Sequence, residues 1–430
     1  MAEIDRIKGN NMKQTKCMVC GSGRLSNFLD LGLQPNGNSF PDEVSKTKEI
    51  KYPLSMSVCE SCWLVQLDDY PPPEVVFTDH PYVTGLNAPI VQHFQNLSKH
   101  VVKKFQIPPQ SLVVDIGAND GTLLSAFREL GMRTLGVDPG QRTGKLARAN
   151  GITVCESFWN QATGRALRTL NLAPSVVTAT AVFYHTPDLH EFVSGLAEVI
   201  NDHTVFVTQC VYIKKVLEEL QFDHFYHEHT CIYSIRPLQE LFAQHRMRLL
   251  DVEFWDVHGG SFILYVAKDS SPLPTSQSIA VAIDAEERAG LFRLETYLDF
   301  ARNVNHNCER LMTLLRVLKE EKKTVYALGA PVKGSTLMNY CGIGPDLVSM
   351  AVEVNQFKIG RLTPGNHIPI VGEERVKKQP DYYLVLAWNF LEYFIRKHEK
   401  FLQAGGKFIV PHPRVGIVDM AGLKEWQPDA

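Results

Sequence analysis

Residues 111–127 read SLVVDIGANDGTLLSAF. A short apolar run ends in Asp115, a glycine turn follows, and then an amphipathic helical pattern. Strand, acidic residue, glycine turn and helix in that order open a doubly wound α/β sheet. The chain continues the theme. RTLGVDPG (133–140) predicts a second strand ending in Asp138, and CESFWN follows a third. SVVTATAVFYH (175–185), TVFVTQC (204–210) and SFILYVAKD (261–269) predict later strands, with helices near 143–150, 188–200 and 236–246. Alternation of this kind predicts a parallel sheet.

The turn also selects a ligand class. D-I-G-A-N-D-G lacks the G-x-G-x-x-G spacing of dinucleotide binders. An acidic strand end followed by glycines suits S-adenosylmethionine, whose methionine part has no pyrophosphate to cradle. Asp115, Gly117, Asn119 and Gly121 form the first wall of that expected site. Gly117 keeps the floor free of a Cβ. Asp138 and Pro139 stand where a carboxylate binds ribose hydroxyls, a placement that serves NAD equally. Phe158 is expected to flank the adenine or to be a core aromatic. The bland reading of the turn is a bare strand–helix connection.

Upstream, C-M-V-C-G and C-E-S-C present Cys17, Cys20, Cys59 and Cys62 as two knuckles. Four thiolates in two tight turns suit closed, structural zinc, with an iron–sulfur centre as the rival. The scattered cysteines (Cys155, Cys210, Cys231, Cys308, Cys341) are expected to be small buried hydrophobes. YPPPEVVF (70–77) is expected to be a connector, and a helix at 87–105 should bury Ile90, Val91, Phe94, Leu97 and Val101. Downstream, 278–320 predicts long charged helices. TVYALGAPVKGSTLMNY (324–340) repeats strand, glycine turn and helix, as a second, smaller α/β domain would. In it Lys333, at a helix start, is either an anion ligand or part of a structural turn.

The 430 residues allow two or three domains, and 44 basic against 47 acidic residues leave no electrostatic footprint for nucleic acid or an anionic membrane. The first sixteen residues lack the apolar core of a signal peptide and no apolar run reaches transmembrane length, so a cytoplasmic location is expected.

QFDHFYHEHTCIYS (221–234) concentrates His224, Tyr226, His227, Glu228, His229 and Cys231. It is not a zincin, because H-E-H lacks the H-E-x-x-H spacing. Were the segment extended, His227 and His229 would share a side with Glu228 opposite, without a convincing third metal ligand. No nucleophile elbow accompanies Cys231. Following a strand at the far half of the sheet, the segment should overhang the strands' carboxyl ends, where substrates bind. Tyr226, Glu228 and His229 then read as a proton-abstracting group, with Glu228 raising the histidine's basicity. A loop of hydrogen-bonding histidines is the alternative.

The order of motifs is paired CxxC, D-x-G-x-x-x-G, V-F-Y-H, F-D-x-x-Y-x-E-H, H-G-G-S, G-A-x-x-K-G, P-G-x-x-I-P-I and L-A-W-N. Over about residues 17–413 the chain resembles the zinc-containing, S-adenosylmethionine-dependent C-methyltransferases of nucleotide-linked 4-keto deoxysugars. The resemblance implies a zinc-binding unit (1–75), a Rossmann-like class I methyltransferase core (76–275) and an α/β domain closing the substrate cleft (276–430). It implies catalytic roles for Tyr82, His185, Tyr226, Glu228 and His229, with His80 at the position of a family tyrosine. His229, or His185 with it, is the implied base, and Lys333, Asn355 and Lys358 are the implied substrate contacts. The implied reaction removes the C-3 proton beside a 4-keto group and methylates that carbon. The implied partner is a small nucleotide sugar, with no nucleic acid or membrane, and the chain monomeric or weakly homo-oligomeric. Methylation of another carbonyl-activated carbon or an oxygen, and an interaction protein with a degenerate core, are the alternatives.

Overall fold

The computed structural model describes residues 12–77 and 82–427. The first eleven residues and His80 lie outside them.

The N-terminal unit is a small antiparallel sheet of Leu25–Pro35, Lys51–Cys59 and Val65–Leu67. Its fourth strand comes from far along the chain. Cys231–Ile232 pairs antiparallel with Val65–Leu67, with Cys231 opposite Gln66 and Ile232 opposite Val65. The connector that follows contains a short helix, Pro73–Phe77. Ala88–Lys104 then forms the expected helix, capped by the Asn87 side chain and burying Ile90, Phe94, Leu97, Ser98 and Val101. Val91 is only partly covered.

The central sheet has seven strands. Across it lie Val154–Cys155, Arg133–Val137, Leu112–Ile116, Val176–Thr180 and Val205–Val211, all parallel. The chain order reverses between Leu112–Ile116 and Val176–Thr180, which opens a crevice at their carboxyl ends. Beyond Val205–Val211 the expectation of an all-parallel sheet fails. Ser261–Lys268 runs antiparallel to both its neighbours, Val205–Val211 and Met247–Trp255. The connection between Met247–Trp255 and Ser261–Lys268, residues 256–260, is too short to carry the chain back for a parallel pairing of those two strands. Met247–Trp255 escaped the sequence reading because Arg248, Asp251 and Glu253 interrupt its apolar pattern at a sheet edge.

Helices Ser278–Arg288 and Leu294–Glu320 lead to the second seven-stranded sheet. There Val325–Leu328 is flanked by parallel Ala351–Glu353 and Tyr382–Val385, with the helix Val332–Cys341 after its glycine turn. Gly416–Asp419 and Gly422–Glu425 add an antiparallel edge. One continuous apolar core runs through all three parts, from Phe28 and Leu54 through Phe225 and Phe206 to Tyr297 and Leu337. Phe28 of the N-terminal unit packs on Phe225, Tyr297 and Phe300. Among the described residues no helix is long and apolar enough to cross a membrane.

Candidate active site and metal centre

Cys17, Cys20, Cys59 and Cys62 converge, with all four sulfurs within 4.8 Å of one another. Cys17 Sγ lies 3.4 Å from Cys62 Sγ and Cys20 Sγ 3.6 Å from Cys59 Sγ. Four sulfurs about 2.3 Å from a common tetrahedral centre would be spaced close to this, so the set fits zinc. Backbone amides of Val19 and Ser61 point at Cys17 and Cys59 sulfurs at 3.4 Å, as knuckle turns require. Among the described residues these four are the one cluster of metal-ligand spacing, so the histidines of 221–234 form none. Of the scattered cysteines, Cys210, Cys231, Cys308 and Cys341 are buried as expected, whereas Cys155 is exposed at the edge strand.

A cavity of about 1260 Å³ opens at the carboxyl ends of the central strands and continues under the C-terminal domain. Gly117, Asn119, Asp138, Pro139 and Phe158 belong to its lining. Gly117 has φ +73°, and a Cβ there would meet Val182 Cγ2 at 2.3 Å. The glycine is thus demanded by both conformation and close approach. Asp138 accepts the Asn119 and Gly140 amides at 2.8 Å, which fixes its carboxylate at the strand end. Asp115 and Gly121 stand behind this wall. Asp115 is buried and accepts the Thr178 hydroxyl at 2.6 Å, and burial pushes its carboxyl up to about 7. Gly121 caps the following helix with φ +78°, and a Cβ there would strike Ile152 at 2.8 Å. Both support the turn rather than face the cavity.

Tyr82, His185, Tyr226, Glu228 and His229 line the same cavity. The segment is not extended there. The His229 amide donates to Tyr226 O at 2.8 Å, closing a tight turn. His227 leaves the cavity, its Nε2 donating to Pro53 O at 3.1 Å beside Tyr52. The buried His229 ring lies against Tyr226 (3.9 Å), Tyr184 (4.5 Å) and His185 (5.3 Å). Its Nδ1 is 2.7 Å from His224 O, and a carbonyl only accepts, so Nδ1 carries the hydrogen and Nε2 the lone pair. Burial, then the neighbouring His185 and His224, push its pKa well below the ordinary value. This reverses the expectation that Glu228 raises it. Glu228 instead accepts a hydrogen bond from Asn38 of the N-terminal unit.

The C-terminal domain contributes Lys333, Asn355 and Lys358 to the lining. Buried Lys333 donates to Asn389 and sits 3.9 Å over the Trp388 ring, and burial brings its pKa down to about 8. Lys358 donates to Ala330 O at 2.9 Å, and burial lowers it too. Asn355 caps its own turn, accepting the Phe357 amide at 3.0 Å.

Among the lining residues to which sequence reasoning gave no role are Asn38, Arg142, His224 and His258. Arg142 stacks on Phe357 at 4.8 Å. His258, at φ +56°, belongs to the H-G-G-S motif, which was the one available signal. Nothing local marks Asn38.

Residues 17–77, 92–249 and 256–413 match, in turn, family models for a zinc binding domain, a methyltransferase domain and a C-methyltransferase C-terminal domain. C-methyltransferase NovU of Streptomyces niveus is 32% identical over 405 residues, covering 94% of this chain and 96% of its own. The chain belongs to the zinc-containing C-methyltransferase family. It is an S-adenosylmethionine-dependent C-methyltransferase with a four-cysteine zinc site. Among solved structures, magnesium protoporphyrin IX methyltransferase (ChlM) from Synechocystis PCC 6803 with bound SAH is 13% identical. The match covers 41% of this chain and 82% of that one at TM-score 0.33.

In this C-methyltransferase, Gly117→Ala is expected to weaken S-adenosylmethionine binding about tenfold by calorimetry, because the methyl strains φ and displaces Val182. An unchanged Kd would separate this turn from the cofactor.

Proposed function

We propose that the enzyme methylates C-3 of a nucleotide-linked 4-keto-6-deoxysugar through an enolate. One observation carries the reading. The Tyr226–His229 turn presents a neutral histidine of fixed tautomer to the cavity that Gly117, Asn119 and Asp138 also line. His229 Nε2 takes the C-3 proton, while the His224 carbonyl holds the ring. Burial raises the Tyr226 phenol well above its ordinary pKa, so at neutral pH it keeps a proton to donate to the enolate oxygen. Tyr82 supports the sugar ring, and His185, stacked on His229 with an interplanar angle of 23°, fixes the base's orientation. Glu228, held by Asn38, tunes the same wall. Lys333, at the start of a helix, favours the nucleotide's phosphates along with Lys358 and Asn355. S-adenosylmethionine, when bound, supplies the electrophilic methyl that the carbon nucleophile receives.

The test is proton exchange. Incubated in deuterated water with a panel of nucleotide 4-keto-6-deoxysugars, the enzyme should wash deuterium into C-3 of at least one and then methylate it. Absence of both across the panel would remove the sugar reading.

The pH profile tests the base. A depressed histidine pKa leaves the neutral form present above that pKa, and activity is lost as pH falls through it. The acid limb of kcat/KM is therefore expected well below pH ~6.5. A limb at or above it would restore the Glu228-raised base.

A further inference from the structure

The His224 side chain is left over from this chemistry. It lines the cavity, is 3% exposed, and both ring nitrogens are without a hydrogen-bond partner among the described residues. A buried imidazole with neither its donor nor its acceptor engaged is costly, so a ligand group is the natural completion. The ring lies parallel to that of His229, at 11° and 6.1 Å between centroids, and edge-on to Trp388 at 5.9 Å. It thus sits beside the base, on the side of the C-terminal domain.

The chemistry of its surroundings narrows the partner. Burial and the nearby Lys333 push His224 down to about 3, so it meets its ligand uncharged. The same lysine disfavours a cationic amine there, and an anion would pair with the lysine itself. Neighbouring Asp223 does not supply the missing partner. It accepts the Trp388 indole N–H at 2.7 Å and lies 3.2 Å from His412. A hydroxyl, donor and acceptor at once, pairs with either tautomer of a neutral imidazole.

We propose that His224 is a specificity-determining residue that binds a ring hydroxyl of the acceptor, on or next to the carbon that is methylated. The proposal rests on the sugar reading above. It is tested with matched nucleotide 4-keto-6-deoxysugars that retain or lack the hydroxyl at carbon two or carbon three. The wild-type enzyme should prefer the hydroxylated member of one pair about tenfold or more in kcat/KM. His224→Phe should bring that preference close to unity, and His224→Asn should keep part of it. Both should bind S-adenosylmethionine with wild-type affinity by calorimetry. If the phenylalanine variant loses cofactor binding through misfolding, the asparagine variant carries the comparison. Wild-type enzyme indifferent to both hydroxyls, or variants with the full wild-type preference, would overturn the role of His224. Wild-type enzyme that turns over none of the sugars would instead overturn the sugar reading, and this inference with it.

Discussion

His229→Ala is expected to lower kcat about 10²- to 10⁴-fold while leaving S-adenosylmethionine affinity within about twofold. The size follows from what the side chain supplies. A proton beside a ketone leaves only to a base held at bonding distance with its lone pair already directed. His229 has Nδ1 committed to the His224 carbonyl and its ring enclosed by Tyr226, Tyr184 and His185. The cofactor affinity is spared because Gly117, Asn119 and Asp138 belong to other elements and their hydrogen bonds do not involve residue 229. The readouts are deuterium wash-in at C-3 and single-turnover methylation, with calorimetry for the cofactor. Tyr226→Phe should fall less steeply and keep exchange measurable. Wild-type exchange rates in the alanine variant would return the cluster to a hydrogen-bonded loop.

Cys59→Ser should cost both metal and activity, although the zinc site lies outside the substrate cavity. Metal analysis of the wild-type chain is expected to give about one zinc, and the variant little or none. With one ligand gone, three crowded thiols lose the ion that joins the two knuckles, and Tm should fall by roughly 5 °C or more. The path to activity is the shared sheet. Val65–Leu67 of the zinc unit pairs with Cys231–Ile232, and the Leu67 amide donates to Thr230 O at 2.9 Å. Those residues directly follow the Tyr226–His229 turn. Asn38 grips Glu228, and Pro53 O takes the His227 ring. A loosened zinc unit therefore frees the turn that carries the base, and kcat should drop with the metal. Full zinc content in the variant would contradict the ligand assignment. Loss of zinc at unchanged kcat would contradict the mechanical link.

The coupling runs the other way as well. Asp223, on the opposite side of the same segment, is buried against Trp388 and His412 of the C-terminal domain. Burial works to raise its carboxyl, but His412 and Lys333 outweigh that and hold it well below the usual carboxylate range. The histidine-rich stretch is thus held between the two flanking units, which is why so much of it is buried polar surface.

The sequence by itself determined the parts whose signal is local. A glycine with positive φ is needed where strand turns to helix, so D-I-G-A-N-D-G marked the cofactor turn. Two CxxC pairs marked the zinc ligands, and a period of about 3.6 residues marked Ala88–Lys104. H-E-H spacing was enough to dismiss a zincin. The tertiary structure alone decided what depends on distant partners. It turned Ser261–Lys268 antiparallel and handed Cys231–Ile232 to a sheet that begins more than two hundred residues earlier. It brought Asn38 to Glu228, sent His227 away from the cavity and His224 into it. It also fixed the sign of the shift at His229. Adjacency in sequence suggested a glutamate raising the histidine, but a pKa answers to burial and to charges in space. In space His229 is enclosed by rings, with burial and two other histidines lowering it. Periodicity and spacing carry information over a few residues, whereas pairing, burial and field are set by which distant segments the fold brings together.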